Sequence, residues 1–295
     1  MDTLRRFTLL AIVVNVGIVF TGGLVRLTGS GLGCPDWPSC TPDSLVPVPG
    51  GDHAGWQTAI EFGNRMLTFV VLASAIAVWV QVRRTRPHPR VVEVLAVALP
   101  AGVLAQAVVG GITVLTGLSP YTVATHFLLS MGLIATAVVL HDRTRAAHEP
   151  GATVSVRRAA AVLLVIAAVV LLLGTVVTGS GPHGGDPSAS RLALDIRMAA
   201  LAHADAVWML LGVTVALVAM TWNGPPRVRR AARILLALEF AQGSIGYTQY
   251  VLGVPAVLVG AHILGAALVW TTVVTLWIRT RPATPSRVES TTSTL

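Results

Sequence analysis

The tightest constraint on this chain is a series of eight apolar runs. They lie at roughly 7–27, 64–82, 92–115, 121–140, 159–178, 200–221, 231–252 and 256–278. A helix rises about 1.5 Å per residue and a bilayer core is about 30 Å thick, so a run of about 20 residues crosses it once. Charged residues make up 12% of the chain and hydrophobic ones 54%, whereas an ordinary soluble domain is about 25% charged. The expected fold class is an all-α membrane protein with eight transmembrane helices. The first run follows Arg5-Arg6 in the manner of a signal peptide. Its length and the lack of a small-x-small cleavage pattern after it predict a retained helix instead.

The net charge of +8 raises the question of nucleic acid. All the basic residues are arginine, and they sit in short segments between apolar runs rather than on one face, which points to topology control. With the N-terminus inside, 17 arginines fall on that side. Only Arg26, Arg65, Arg191 and Arg197 fall outside. This asymmetry predicts that both termini are cytoplasmic and that the long loops, 28–63 and 179–199, are external. The Thr-, Ser- and Pro-rich stretch 281–295 reads as a disordered cytoplasmic tail.

A duplication organises the runs. Gln106, Gly110, Gly117 and His126 recur as Gln242, Gly246, Gly253 and His262, each shifted by 136. Thr28-Gly-Ser-Gly31 recurs as Thr178-Gly-Ser-Gly181. A fixed self-offset marks an internal repeat. Each half holds an even number of spans, so the halves point the same way across the membrane. The expected architecture is two tandem, parallel-repeat four-helix bundles, 1–141 and 159–280, joined by a cytoplasmic linker, 142–158.

Each half carries polar residues at matching depth on its second and fourth spans: Asn64 and His126, then His203 and His262. An imidazole inside the membrane is costly unless it has a partner. One alternative is an interhelical hydrogen bond. The other is haem ligation, since facing helices of a bundle can supply both axial ligands of one iron. The repetition favours haem, with His203 and His262 as the stronger pair. Zinc or copper would need more convergent ligands. His53 and His183, in the external loops, are candidates for a pocket rim, while His88, His141 and His148 read as solvated loop residues. Asp205, Glu239, Gln106 and Gln242 read as interhelical hydrogen-bonding groups.

Cys34 and Cys40, the only cysteines, fall in the first external loop as Cys-Pro-Asp-Trp-Pro-Ser-Cys. An oxidising compartment permits a disulfide there, either as a reducible exposed bridge or as a structural staple. Glu61 precedes Asn64 by one helical turn and shares its face. It reads either as a proton-handling carboxylate or as an acid favoured by the helix N-terminus. Arg26 and Arg65 read as contacts to haem propionates or as snorkelling interfacial residues.

The run Gly-Gly-Leu-Val-Arg-Leu-Thr-Gly-Ser-Gly-Leu-Gly-Cys-Pro-Asp-Trp-Pro at 22–38, the spaced cysteines, Glu61-x-x-x-Arg65 and the three intramembrane histidines resemble the haem A synthase family. These membrane enzymes convert haem O to haem A. The resemblance implies a resident haem b between His203 and His262 in the second half, and haem O bound through His126 in the first. It implies Glu61 as the catalytic carboxylate and a Cys34–Cys40 disulfide that acts in electron or haem transfer. The reaction is then stepwise oxidation of a haem methyl group to a formyl group, with electrons passing through haem b. A haem O synthase and haem-copper terminal oxidases are the implied partners. Many relatives have histidine where Asn64 stands, and an amide is a poor iron ligand, so the first site is expected to be five-coordinate or labile. The competing readings are a non-catalytic b-type electron-transfer cytochrome and a transporter built from parallel repeats. Unequal ligand sets and Glu61 favour the enzyme over the first. The absence of paired broken helices counts against the second.

Overall fold

The structure is a computed structural model that describes residues 3–48, 54–144 and 151–281. Among these, eight helices follow in order: α1 Thr3–Leu27, α2 Gly55–Arg84, α3 Arg90–Leu115, α4 Pro120–Arg143, α5 Val154–Ser180, α6 Ile196–Met220, α7 Pro226–Val251 and α8 Ala256–Arg279. Seven are long and apolar enough to cross a membrane. The exception is α7, whose 26 residues suffice in length. Glu239, Gln242 and Gln249 interrupt its apolar run, and four arginines crowd its first turns. His53, His148 and the expected tail from 282 onward lie outside the described residues.

One boundary differs from expectation in a way that matters for the site. The second apolar run begins at Asn64, but α2 begins nine residues earlier, at Gly55. The Ala54 N–H donates to Gln57 Oε1 at 3.1 Å and stabilises the earlier start. Glu61 and Asn64 therefore lie within a formed helix, about two to three turns from its start.

Helices α1 to α4 pack in a ring, each against the next, with α4 closing on α1. Helices α5 to α8 form a second ring in the same order. The rings meet where α8 touches α1 and α4, and where α4 touches α5. In lipid there is little hydrophobic drive between helices, so close approach and interhelical bonds hold such contacts. Gly102 admits the Leu133 side chain and Gly23 admits Ile263. Trp270 Nε1 on α8 donates to the Met131 carbonyl on α4 at 2.8 Å.

The sequence offset of 136 is also visible in the backbone. After α3, Gly117 and Leu118 both take positive φ, and Leu118 N donates to Thr113 O. After α7, Gly253 and Val254 do the same, and Val254 N donates to Gln249 O. A leucine and a valine in the left-handed region are strained. The same turn recurs at both places, each time just before the helix that carries a histidine.

Candidate functional site

Arg26, Glu61, Asn64, Arg65 and the three intramembrane histidines gather toward the end of the helices that carries the disulfide loop and the 181–195 loop. On this side, each of the three histidines rests against a glycine of the preceding helix. A Cβ on Gly110 of α3 would stand 3.2 Å from His126 Cε1, one on Gly174 of α5 would stand 3.3 Å from His203 Cε1, and one on Gly246 of α7 would stand 3.1 Å from His262 Cε1. A side chain at any of these glycines would crowd the ring.

Main-chain groups set the ring orientation. His203 Nδ1 donates to the Val170 carbonyl at 3.1 Å, one turn before Gly174. That bond fixes the tautomer and leaves Nε2 with its lone pair for a metal. His262 Nδ1 is buried with no hydrogen-bond partner among the described residues. His126 Nδ1 is also buried without a partner. Gln106 Nε2 donates to the His126 carbonyl at 3.0 Å and Gln242 Nε2 to the His262 carbonyl at 2.8 Å. These are the interhelical bonds expected of the glutamines. Asp205, by contrast, is exposed on α6.

The rings of His203 and His262 face one another with centroids 6.5 Å apart and an interplanar angle of 69°. Two imidazoles on opposite faces of one iron, each bonded at about 2 Å, hold their ring centres roughly 6–6.5 Å apart. The spacing, the free Nε2 of His203 and the glycine cradles fit a haem. Among the described residues no group of three or more His, Cys, Asp or Glu converges on a point. A porphyrin needs only the two axial donors from protein.

In the first ring, Asn64 is tied to α1. Its Oδ1 accepts from Thr21 Oγ1 at 2.7 Å. The amide oxygen, which is its sole lone-pair donor of any strength, is thus engaged by a neighbouring helix.

Cys34 and Cys40 are disulfide-bonded and fully buried. Burial departs from the exposed bridge and agrees with the structural staple, the two readings that the sequence left open. The cause is the clamp that α2 places on the loop. Buried Glu61 accepts from Cys34 N at 2.7 Å through Oε2 and pairs with Arg65 at 2.6 Å through Oε1. Arg65 then donates to the carbonyls of Cys34, Asp36 and Ser39. Glu61 and Arg65, one turn apart, therefore hold both ends of the cysteine loop. The sequence reading missed Trp37 of this loop. Its indole occupies the space that a Cβ on Gly111 would need, next to the glycine that cradles His126. The signal was the Gly110-Gly111 pair, whose second copy is Gly246-Tyr247.

Arg26 bridges the two rings. Its guanidinium donates to the carbonyls of Thr178 and His183, and Gly31 N donates to Gly185 O. The two Thr-Gly-Ser-Gly motifs are thus brought together. His183 Nε2 donates in turn to the Val254 carbonyl at 2.9 Å, so it braces the turn before α8. His141 is not a loop residue. It lies in the last turn of α4 and shares a 2.8 Å hydrogen bond with Thr8 of α1.

Comparison with known proteins bears on the first ring most directly. Residues 5–183 match the COX15-CtaA family, described as a cytochrome oxidase assembly protein. The match takes in α1 to α5, and with them Cys34, Cys40, Glu61, Asn64, Arg65 and His126. The chain is 36% identical over 138 residues to a heme A synthase of Lysinibacillus sphaericus (strain C3-41), covering 46% of this chain and 43% of that protein. It is 32% identical over 165 residues to a heme A synthase of Geobacillus kaustophilus (strain HTA426), covering 54% and 50%. A heme A synthase of Shewanella oneidensis (strain ATCC 700550) is 26% identical over 163 residues, covering 51% and 48%. The chain spans about half the length of the curated relatives it matches.

Proposed function

The chain belongs to the haem A synthase family of cytochrome oxidase assembly proteins, and from that premise we propose that it is an oxidoreductase that converts a methyl group of haem O to a formyl group. The observation that carries this reading is the 6.5 Å approach of the His203 and His262 rings. It lies outside the family match, and so supports the reading independently. His203 and His262 would hold a haem b as axial ligands. When bound, that haem supplies a one-electron carrier. His126, cradled by Gly110, binds the substrate haem, and Asn64 lines its pocket.

Glu61 is the catalytic carboxylate. Arg65 holds its Oε1, while a proton taken at Oε2 exchanges against the Cys34 N–H bond, which links the acid to the disulfide loop. Arg26 and Arg65 order the two loops over the pockets. Propionates would reach either guanidinium by displacing loop carbonyls.

The two rings are parallel repeats, α7 crosses the membrane as well and brings the spans to eight, and both termini face the cytoplasm, a reading that the arginine asymmetry supports. The disulfide end is then extracytoplasmic, where an oxidised cysteine pair persists. Haem O comes from a haem O synthase, and haem A passes to haem-copper terminal oxidases.

Co-expression with a haem O source, followed by mass analysis of the extracted haem, tests the activity. A formyl haem is the expected product. Only unmodified haem would favour the electron-transfer cytochrome, and colourless protein would remove both readings.

Asn64 gives a second test. In the Asn64→His variant loaded with haem O, an imidazole replaces the amide that Thr21 now engages. Low-spin character in the optical spectrum should rise at the expense of high-spin. An unchanged spin state would show that position 64 does not face the iron.

A further inference from the structure

Glu239 is the buried acid that the mechanism above leaves unused. It lies on α7, is 7% exposed, and its Oε1 accepts from the fully buried Thr214 Oγ1 of α6 at 2.8 Å. Its Oε2 is buried and has no hydrogen-bond partner among the described residues. Gln106 and Gln242 also keep one orphaned oxygen, but Glu239 is the ionisable member of the set, and a buried acid that could be replaced by a neutral amide for the same bond is costly.

The duplication sharpens the point. Shifting Glu239 back by 136 gives Val103. Thr214 is eleven residues after His203, as Ala75 is eleven after Asn64. Val103 and Ala75 are both buried in the core of the first ring. The same packing position is thus apolar in one half and acidic in the other. The acid occurs in the half that has two facing histidines.

Glu239 precedes Gly246, the cradle of His262, by seven residues, about 10 Å along α7. The helices packed against α7 are α6 and α8. On α6 the titratable groups are Arg197, His203 and Asp205, the nearest of which is nine residues from Thr214. On α8, the residue level with Glu239 is about Val269, seven residues beyond His262 and ten before Arg279. On α7 itself, Arg233 is six residues before and Tyr247 eight after. Among the described residues no fixed countercharge sits beside the carboxyl group, so its charge responds to whatever charge the nearby site carries.

We propose that Glu239 is the proton-binding site coupled to the electron held between His203 and His262. One electron arrives from a one-electron reductant, and the proton occupancy of Glu239 Oε2 rises by up to about half a proton drawn from water. Both leave on reoxidation, so the added charge in the buried half is partly offset. This rests on the haem reading given above. At about 10–15 Å and an effective dielectric of about 20, one added electron changes proton affinity by roughly tenfold.

The test is a redox titration of the purified full-length protein with dithionite and ferricyanide, at a series of pH values. The wild-type midpoint potential should fall with rising pH by a total of about 59 mV for a tenfold change in proton affinity. Glu239→Gln, which keeps an acceptor for Thr214, should hold the potential flat near the wild-type acid value. Glu239→Asp should keep the fall. The infrared difference spectrum on reduction should show a carboxyl band that Glu239→Gln lacks. A pH-independent wild-type potential, or an undiminished fall in Glu239→Gln, would overturn the proposal. If that variant loses its haem, the wild-type infrared spectrum decides, and no carboxyl signal sinks the idea. Retention of full haem by His203→Ala would instead remove the haem reading beneath it.

Discussion

Replacing either His203 or His262 with alanine should strip the resident haem from the purified protein. On the proposed reading each ring is one of two axial donors, and among the described residues no third His, Cys or acid joins the pair: His126 lies on α4 of the other ring, and His183 Nε2 donates to the Val254 carbonyl. Loss of a residue that merely orients a ligand weakens metal binding by about 10–100-fold, so loss of the ligand itself should exceed that. Haem per protein, measured from the absorbance of the extracted pigment, should fall to the level set by the first ring alone. Circular dichroism should stay helical, because each ring sits in a glycine cradle and its removal leaves a gap without breaking a helix. Gly246→Val gives an intermediate case. Its added carbons would meet His262 Cε1 at about the 3.1 Å at which a Cβ would already crowd it, tilting the ring and broadening the spectrum while keeping some haem. A full haem complement in both alanine variants would show that the 6.5 Å pair does not clasp an iron.

The helices and the repeated Gln-Gly-Gly-His pattern that ends at His126 and His262 are legible in the sequence because both rest on simple periodicities. Apolar runs of membrane length can hardly fold otherwise, and a residue repeated at a fixed offset keeps its place in each copy. What the sequence concealed lies where one copy departs from the other, or where a loop returns to the bundle. Hydropathy predicts an α2 start at Asn64 because it registers only the apolar part of the helix, and Gly55–Phe62 is too polar to count. Glu61 and Arg65 were weighed as groups facing a cofactor. Their bonds to Cys34, Asp36 and Ser39 come from a loop whose path no periodicity reveals. Trp37 escaped notice for the same reason. In sequence Glu239 is one polar helix residue among several; Gln106 and Gln242 share its orphaned oxygen, and it is its ionisable carboxyl group and its apolar counterpart Val103 that set it apart.

Glu61→Ala should leave the resident haem in place and stop the oxidation of haem O. General acid–base groups contribute about 10²–10⁴-fold to rate, so formyl haem should drop by a comparable factor in co-expressing cells. The structure complicates a simple alanine result, because Glu61 also anchors the disulfide loop. Removing one member of a buried ion pair costs about 3–5 kcal/mol when the other stays buried; Arg65 is partly exposed at 19%, so the loss should fall below that range. Two further variants separate the roles. Glu61→Gln keeps an acceptor for Cys34 N but gives up the charge, so the loop should stay in place and the chemistry should still fail. Arg65→Ala frees the loop carbonyls while leaving the carboxyl group, so the loop should become protease-sensitive and activity should fall less than in Glu61→Gln. If Glu61 acted through the loop alone, the order would reverse, with Arg65→Ala the more damaging. Normal haem A yield from Glu61→Gln would leave the acid a purely structural part, holding Cys34 against α2 and taking no proton from the substrate.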